Sequence, residues 1–451
     1  MNFDKEAQHK RMLETPMPRL IVSLAIPTTA SQLVTTIYNT ADTYFVAQIG
    51  TSATAAVGVV FSLMSIIQAV GFGIGMGAGS LVSRRLGAEQ EEEAHKYASS
   101  AFAAAIVFGL CLMILGEFGL NSLMRLLGST DTILPYARSY AHYILAGAPI
   151  MCAAFVLNNV LRYEGEASMA MIGLCTGGIL NMFLDPLFIF VFDMGIAGAA
   201  LATVLSQCVS FLLLLSVFLR GRSIVKLHPR YVSLHPQDYL LIVRTGFPTI
   251  CRQGLASLAS ALLNRQASLY GDAAVAAVTI SNKIYLLVRN IVLGIGQGFQ
   301  PVAGYNYGAK NHARVREAFV FSTKLGTVIA TAAAVILALH AGTVISWFRA
   351  DDPEVIRIGT TALYYACAVM PFMAYSTYVN QIHQSLGFST RATFLACCRQ
   401  GLCFIPLIYL LPAVLGLTGV QMAQPAADFF SFIIAVPFQV VFFRKELSGN
   451  A

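Results

Sequence analysis

Gly73-Ile74-Gly75-Met76-Gly77 returns 221 residues later as Gly294-Ile295-Gly296-Gln297-Gly298. The same ungapped shift lays Pro27-Thr28 on Pro248-Thr249, Gln32 on Gln253, Gly50 on Gly271, Ala55-Ala56-Val57 on Ala276-Ala277-Val278, and Gly87-Ala88 on Gly308-Ala309. One residue more of shift, 222, makes Tyr143, Pro149, Asn158 and Gly165 meet Tyr365, Pro371, Asn380 and Gly387. A unit of about half the chain is therefore written twice. The glycine run from Gly71 to Gly79 resembles a phosphate-cradling loop only in spacing. No Gly-Lys-Ser/Thr follows it and its surroundings are apolar, so its expected role is close helix packing through small residues.

Those surroundings decide the fold class. Of 451 residues, 57% are hydrophobic and only 11% charged, with a mean hydropathy of +0.68. That is more apolar surface than a soluble fold hides, so a membrane must solvate it. Apolar runs of about 18 residues or more predict helices near 20–47, 53–82, 95–120, 133–160, 169–192, 196–219, 239–269, 273–302, 315–343, 355–384, 392–411 and 417–442. Twelve spans in two copies make six per copy. The predicted fold is an all-α integral membrane protein of two six-helix lobes. Its expected parts are a cytoplasmic N-terminal segment 1–19, an N-lobe 20–220, a basic linker 221–238, a C-lobe 239–443 and a cytoplasmic tail 444–451. The first apolar stretch lacks an A-x-A cleavage site and reads as a retained helix.

An even span count puts both termini on one side, and the basic residues choose it. The N-terminal tail carries Lys5, Lys10, Arg11 and Arg19; the even loops carry thirteen Lys and Arg, including Arg84, Arg85, Arg220, Arg222 and Lys226; the tail ends with Arg444 and Lys445. The odd loops offer only Arg125, Arg349 and Arg357. Nineteen against three makes the termini cytoplasmic. The net charge of +7 thus belongs to short loops and predicts no nucleic-acid partner. The nine cysteines lie mainly in apolar segments and read as small apolar side chains, with neither disulfide nor metal spacing. Six helices per copy mean that both copies enter from the cytoplasmic side, so the repeat is parallel. Two such lobes enclose a cavity near the midplane that rocking exposes to alternate sides. No nucleotide, zinc or nucleophile-elbow motif stands out, which excludes an enzyme and leaves an ion gradient as the drive.

Of 22 acidic residues only Asp42, Asp185 and Asp428 fall well inside predicted helices. A bare carboxylate there costs about 2.5–3.5 kcal/mol on insertion scales, so each needs a partner or a function. Asn181 lies one turn before Asp185, on the same face. If helices 1, 5 and 6 converge, Asp42, Asn181, Asp185 and Thr203 surround one point with oxygens that suit a proton or Na+. The competing reading makes Asp185 and Asn181 a local bond beside Pro186. Asp42 aligns with Leu263, so the second copy has no equivalent acid. Pro27 predicts a bend in helix 1. The second lobe carries basic and amide groups instead, among them Arg252, Gln253, Arg265, Arg289, Asn380, His383 and Arg399. Arg265 and His383 are near enough to helix ends to snorkel, and Asp428 is expected to bridge Arg399 or Arg252. Cations that face a cavity would admit anionic or zwitterionic substrates. Expected cavity residues are Gln32, Tyr38, Asn39, Met64, Arg252, Gln253 and Asn380, with other Met and aromatic side chains as adaptable lining.

Asn39-Thr-Ala-Asp42-Thr-Tyr-Phe-Val-Ala47, Asn181-Met-Phe-Leu-Asp185-Pro186 and the stretch Gly294 to Ala309 give a specific resemblance. Over essentially its whole length the chain resembles multidrug and toxic compound extrusion (MATE) transporters of the prokaryotic DinF-like or MepA-like kind. The resemblance implies a V-shaped pair of lobes that exchanges protons or sodium for organic substrates, without a cofactor. It implies an ion-coupling site of Asp42, Tyr140, Asn181, Asp185 and Thr203, with Asn158 a further candidate and Pro27 the bending point of helix 1. The sodium-coupled NorM-like branch has C-lobe acids on helices 7 and 10; this chain has none there, which favours N-lobe coupling. The expected function is export of small organic compounds, drugs and toxins or metabolites, by antiport across the plasma (inner) membrane of a prokaryote, by a monomer whose partners are its substrates and the lipid bilayer. The alternatives are a lipid-linked precursor flippase of the same superfamily and a channel or signalling membrane protein.

Overall fold

A computed structural model describes residues 5–348 and 352–446. Arg349, counted above in an odd loop, and tail residues 447–451 lie outside them. Among the described residues there is no strand. The main helices are α1 (Met17–Ala47), α2 (Thr51–Gly87), α3 (Glu91–Phe118), α4 (Leu134–Tyr163), α5 (Ala167–Val191), α6 (Gly195–Leu219), α7 (Pro236–Ser268), α8 (Asp272–Gly308), α9 (His312–Leu339), α10 (Pro353–Ser385), α11 (Ser389–Leu415) and α12 (Leu417–Lys445). All but α7 are long and apolar enough to cross a membrane. At 33 residues α7 has the length, but Arg244, Arg252 and Arg265 lower its hydropathy. Helices extend past the predicted limits mainly at the ends nearest the basic loops: α2 runs on to Gly87, and the N-terminal segment contains a helix, Lys5–Glu14. Polar and basic residues end an apolar window before they end a helix.

The duplication reaches local geometry. Gly50 and Gly271 hold positive φ (147° and 95°) before α2 and α8, where a side chain would be strained. Glu89 and Lys310, also 221 apart, share φ near 59° and 57° in the turns that follow. Short helices Leu120–Leu126 and Ala341–Ser346 occupy matching places. In one half α4 packs against α2, α3, α5 and α6; in the other α10 packs against α8, α9, α11 and α12. Asn158 Nδ2 donates to Ala170 O at 2.8 Å, and its counterpart Asn380 donates to Ala392 O at 2.6 Å. The two helix-to-helix clips are thus identical.

The chain forms two compact units: residues 5–14 with 30–250, and residues 15–29 with 251–446. The division follows the repeat except that each unit takes the first half of the other copy's leading helix. The glycine run explains why. A Cβ on Gly77 would run into Ile242 O, and one on Gly246 into Gly73 O. In the other unit a Cβ on Gly294 would meet the backbone of Thr29 at 2.5 Å, and one on Gly298 the backbone of Ala25 at 2.6 Å. Both runs are helix-packing surfaces that bring backbones together. Thr28 Oγ1 adds a 2.6 Å bond to Gly294 O, next to Pro27 and to the point where α1 passes between units.

The linker is held rather than loose. Ile224 N donates to Glu164 Oε2 at 3.0 Å, Ser223 Oγ lies 2.8 and 2.9 Å from the two Glu164 oxygens, and Ser233 N donates to Ser100 Oγ at 2.8 Å. Gln8 Nε2 reaches Glu164 O at 3.1 Å. Glu164 stands in the turn between α4 and α5, fully buried. Burial raises its pKa to about 8, against hydrogen bonds from Ser223 and Ile224 that lower it.

Candidate functional site

In the first unit α5 places Asn181 and Asp185 on one buried face, 2% and 0% exposed. Asn181 Nδ2 donates to Asp185 Oδ1 at 3.0 Å and approaches Thr203 Oγ1 of α6 at 3.5 Å. Pro186 follows, and a π-helical turn, Leu187–Val191, closes α5. Pro removes a backbone donor, and π turns gather at sites where a side chain is re-aimed. Asp42, half-buried in the C-terminal half of α1, is close enough to act on the charge of Asp185. Tyr140 of α4, fully buried, stands beside Asp42, Thr203 and Asp185. Tyr38 and Asn39 adjoin Asp42 one turn away.

Asp42 Oδ1, Asn181 Oδ1 and Asp185 Oδ2 are all buried without a hydrogen-bond partner. Leaving such atoms unpaired is costly, so the cluster has capacity for a proton or cation that the protein itself does not fill. Its donors are all oxygens, which suits a hard ion rather than a soft metal. Among the described residues no three His, Cys, Asp or Glu side chains gather to hold a metal ion.

Asn158 is not brought to this cluster. It lies 18 residues beyond Tyr140 on the same helix, about 27 Å along the axis, and is engaged with Ala170. Met64 and Gln32 are half-buried in the same unit. Ser206, one turn from Thr203 on α6, is buried with its hydroxyl unpartnered. The sequence reading missed it because a serine in an apolar helix carries no signal of its own. Glu164 was also missed; its repeat counterpart, Leu386, was the available clue.

The second unit has a different centre. Asp428 of α12, 1% exposed, accepts from Arg399 Nε at 2.6 Å and Gln424 Nε2 at 3.0 Å through Oδ1, and from the Tyr285 hydroxyl through Oδ2. Arg399 Nη2 also donates to the Tyr285 hydroxyl oxygen, Oη, at 2.7 Å. The expected bridge is therefore to Arg399, and Tyr285 is part of it. Arg399 sits in a second π turn, Cys398–Cys403. Arg252 Nη1 donates to Asn380 Oδ1 at 3.3 Å, and Gln253 is half-buried beside it. His383 does not snorkel: it is fully buried, with Nδ1 2.8 Å from Val379 O.

A family model described as MatE matches residues 27–187 and again 248–410, the two copies read above. The chain belongs to the MatE family. Its members are transporters, not enzymes, and the protein is a multi-pass membrane protein of that class. It is 25% identical over 427 residues to the multidrug export protein MepA of Staphylococcus saprophyticus, covering 94% of this chain and 92% of that one. It is 24% identical over 420 residues to MepA of Staphylococcus aureus, covering 92% of each. Among solved structures, an outward-facing multidrug resistance MATE family transporter of the MOP superfamily superposes with a TM-score of 0.92 at 27% identity, covering 97% of this chain and 98% of that one.

Proposed function

We propose that this MatE protein is a secondary active antiporter that exports small organic compounds in exchange for protons or Na+. Its setting is a prokaryotic plasma (inner) membrane with both termini cytoplasmic, the orientation favoured by nineteen inner basic residues against three. The observation that carries the reading is the α1–α4–α5–α6 cluster, where three buried oxygens of Asp42, Asn181 and Asp185 lack partners. Two carboxyls near each other hold one positive charge better than none, because the incoming ion removes their mutual repulsion. Thr203 and Tyr140 supply hydroxyls at the same point. Asp42 shares α1 with Gln32, Tyr38 and Asn39, so a change of charge at Asp42 acts on the helix that also carries the proposed substrate contacts. Pro27 is the place where that helix can bend. The N-lobe and C-lobe boundaries at 220 and 239 remain part of this proposal.

The test is efflux of a fluorescent cationic dye from proteoliposomes under separately imposed proton and sodium gradients. Export driven by one gradient and abolished by both Asp42→Asn and Asp185→Asn identifies the ion and its site together. Export that survives both substitutions refutes the site. A wild-type protein that moves no dye under either gradient refutes the cationic multidrug reading and directs the assay to lipid-linked precursors.

A further inference from the structure

The second unit holds an open pocket lined by Arg252, Arg289 and Arg399, with no carboxylate in its lining. All three arginines stand well inside their helices α7, α8 and α11 rather than at ends where they would snorkel. A guanidinium at membrane depth is expensive, and it is retained where it pairs or serves. Asp428 lies close by, and its oxygens are already taken by Arg399, Gln424 and Tyr285. The other described acids of this unit, Asp272, Glu317, Asp352, Glu354 and Glu446, lie near or beyond helix ends. Positive charge therefore exceeds negative charge around the cavity.

The scaffold does not require these groups. At the same places in the first copy stand Ser31, Gln68 and Gly177, and the fold is the same. Thr377 and the Asn380 amide group add polar edge, while Leu293 and Leu395 supply an apolar wall. A basic end and an apolar side together match an amphiphilic anion. Guanidinium forks bind carboxylate, phosphate and sulfonate oxygens in bidentate fashion.

We infer that this cavity is a binding site for the oxyanion group of an amphiphilic organic molecule, so that the transporter handles anionic or zwitterionic compounds. The inference rests on the transport reading above, yet it is tested without a gradient. The probe is radiolabelled p-aminohippurate, a small aromatic carboxylate, in equilibrium binding to the full-length protein in phosphatidylcholine nanodiscs. Wild type is expected to bind it saturably and to release it to inorganic sulfate. Arg252→Gln and Arg289→Gln should each weaken binding roughly tenfold or more, the scale of one charge-assisted bond. Lys283→Gln, which removes a charge from the exposed face of α8, should leave it unchanged. Arg289→Lys keeps the charge and should bind better than Arg289→Gln, which separates loss of the site from loss of fold; size-exclusion profiles check the fold directly.

Adding phosphatidylglycerol to the discs identifies the source. Displacement of the probe makes a lipid headgroup the occupant, and undiminished binding makes it a soluble anion; both support an oxyanion site. Absence of saturable wild-type binding overturns the inference, and so does binding that Lys283→Gln weakens as much as the cavity substitutions. Dye export under a gradient with no p-aminohippurate binding would sink this inference alone. Binding without any export would instead sink the transport reading.

Discussion

Replacement of Glu164 by Gln should abolish a pH dependence built into the linker contact. The Glu164 carboxyl is buried, and its pKa rises from 4.5 to about 8 because desolvation outweighs its hydrogen bonds. A raised carboxyl pKa means that the closed state prefers the proton. Its stabilisation is complete below about 4.5 and is lost progressively as pH climbs to about 8, beyond which nothing further is lost. The hydrogen bonding agrees: protonated Glu164 can donate to Ser223 Oγ, whose single proton is then free for Val225 O at 2.9 Å. If opening of the linker restores the ordinary pKa, each pH unit well below 8 removes about 1.4 kcal/mol and the slope halves at 8, so that about 2 kcal/mol is lost between pH 6 and 8. Hydrogen exchange at the amides of Ile224, Lys226, His228 and Ser233 measures this, after correction for base catalysis of exchange. The protection of wild type should fall across that window, and Glu164→Gln should hold it level. A wild-type opening free energy that is flat from pH 6 to 8, or a Gln variant that keeps the slope, refutes the argument.

Asp428→Asn should destabilise the second unit by about 3–5 kcal/mol, because Arg399 loses its buried counter-charge; paired replacement of Arg399 and Asp428 by leucine should cost less in thermal unfolding of the purified protein. Gly77→Leu should be poorly folded, since even a Cβ there meets Ile242 O, and fluorescence-detected size exclusion will show the loss. Asn158→Ala should lower stability by about 1–2 kcal/mol through its lost bond to Ala170 O while gradient-driven dye export persists. Loss of coupling with normal folding in that variant would return Asn158 to the ion site.

The repeat and the helix count were legible because each is a pattern over many residues. Asp42, Asn181, Asp185 and Thr203 were legible for another reason: polar groups are rare in apolar helices, and helical spacing puts two of them on one face. Asn158 and His383 show what a one-dimensional reading lacks. Asn158 is polar and lies in the right helix, yet it is some five helical turns from the cluster and bonded to Ala170. His383 is near a helix end by count, but the neighbouring helices bury it completely. Glu164 and Ser206 went unnoticed because their significance depends on what folds over them.

A duplicated chain carries its own control. Where the copies agree, as at Gly77 with Gly298 or Asn158 with Asn380, the structure shows the same contact twice, and a scaffold role accounts for both residues. Where they differ, the difference is chemical: Asp42 against Leu263, Asp185 against Leu407, Arg252 against Ser31, Arg289 against Gln68. Each of these places a charge at a position whose counterpart folds without one. Stability of the helical frame cannot be what keeps them, because the other copy dispenses with the charge and keeps the frame. On the two proposals made above, acids in one unit and guanidiniums in the other serve separate tasks on one architecture, cation handling beside Asp42 and Asp185 and anion handling beside Arg252 and Arg289. Exchange of Arg289 for the glutamine that its counterpart uses should then be tolerated by the fold and felt only in what the protein binds.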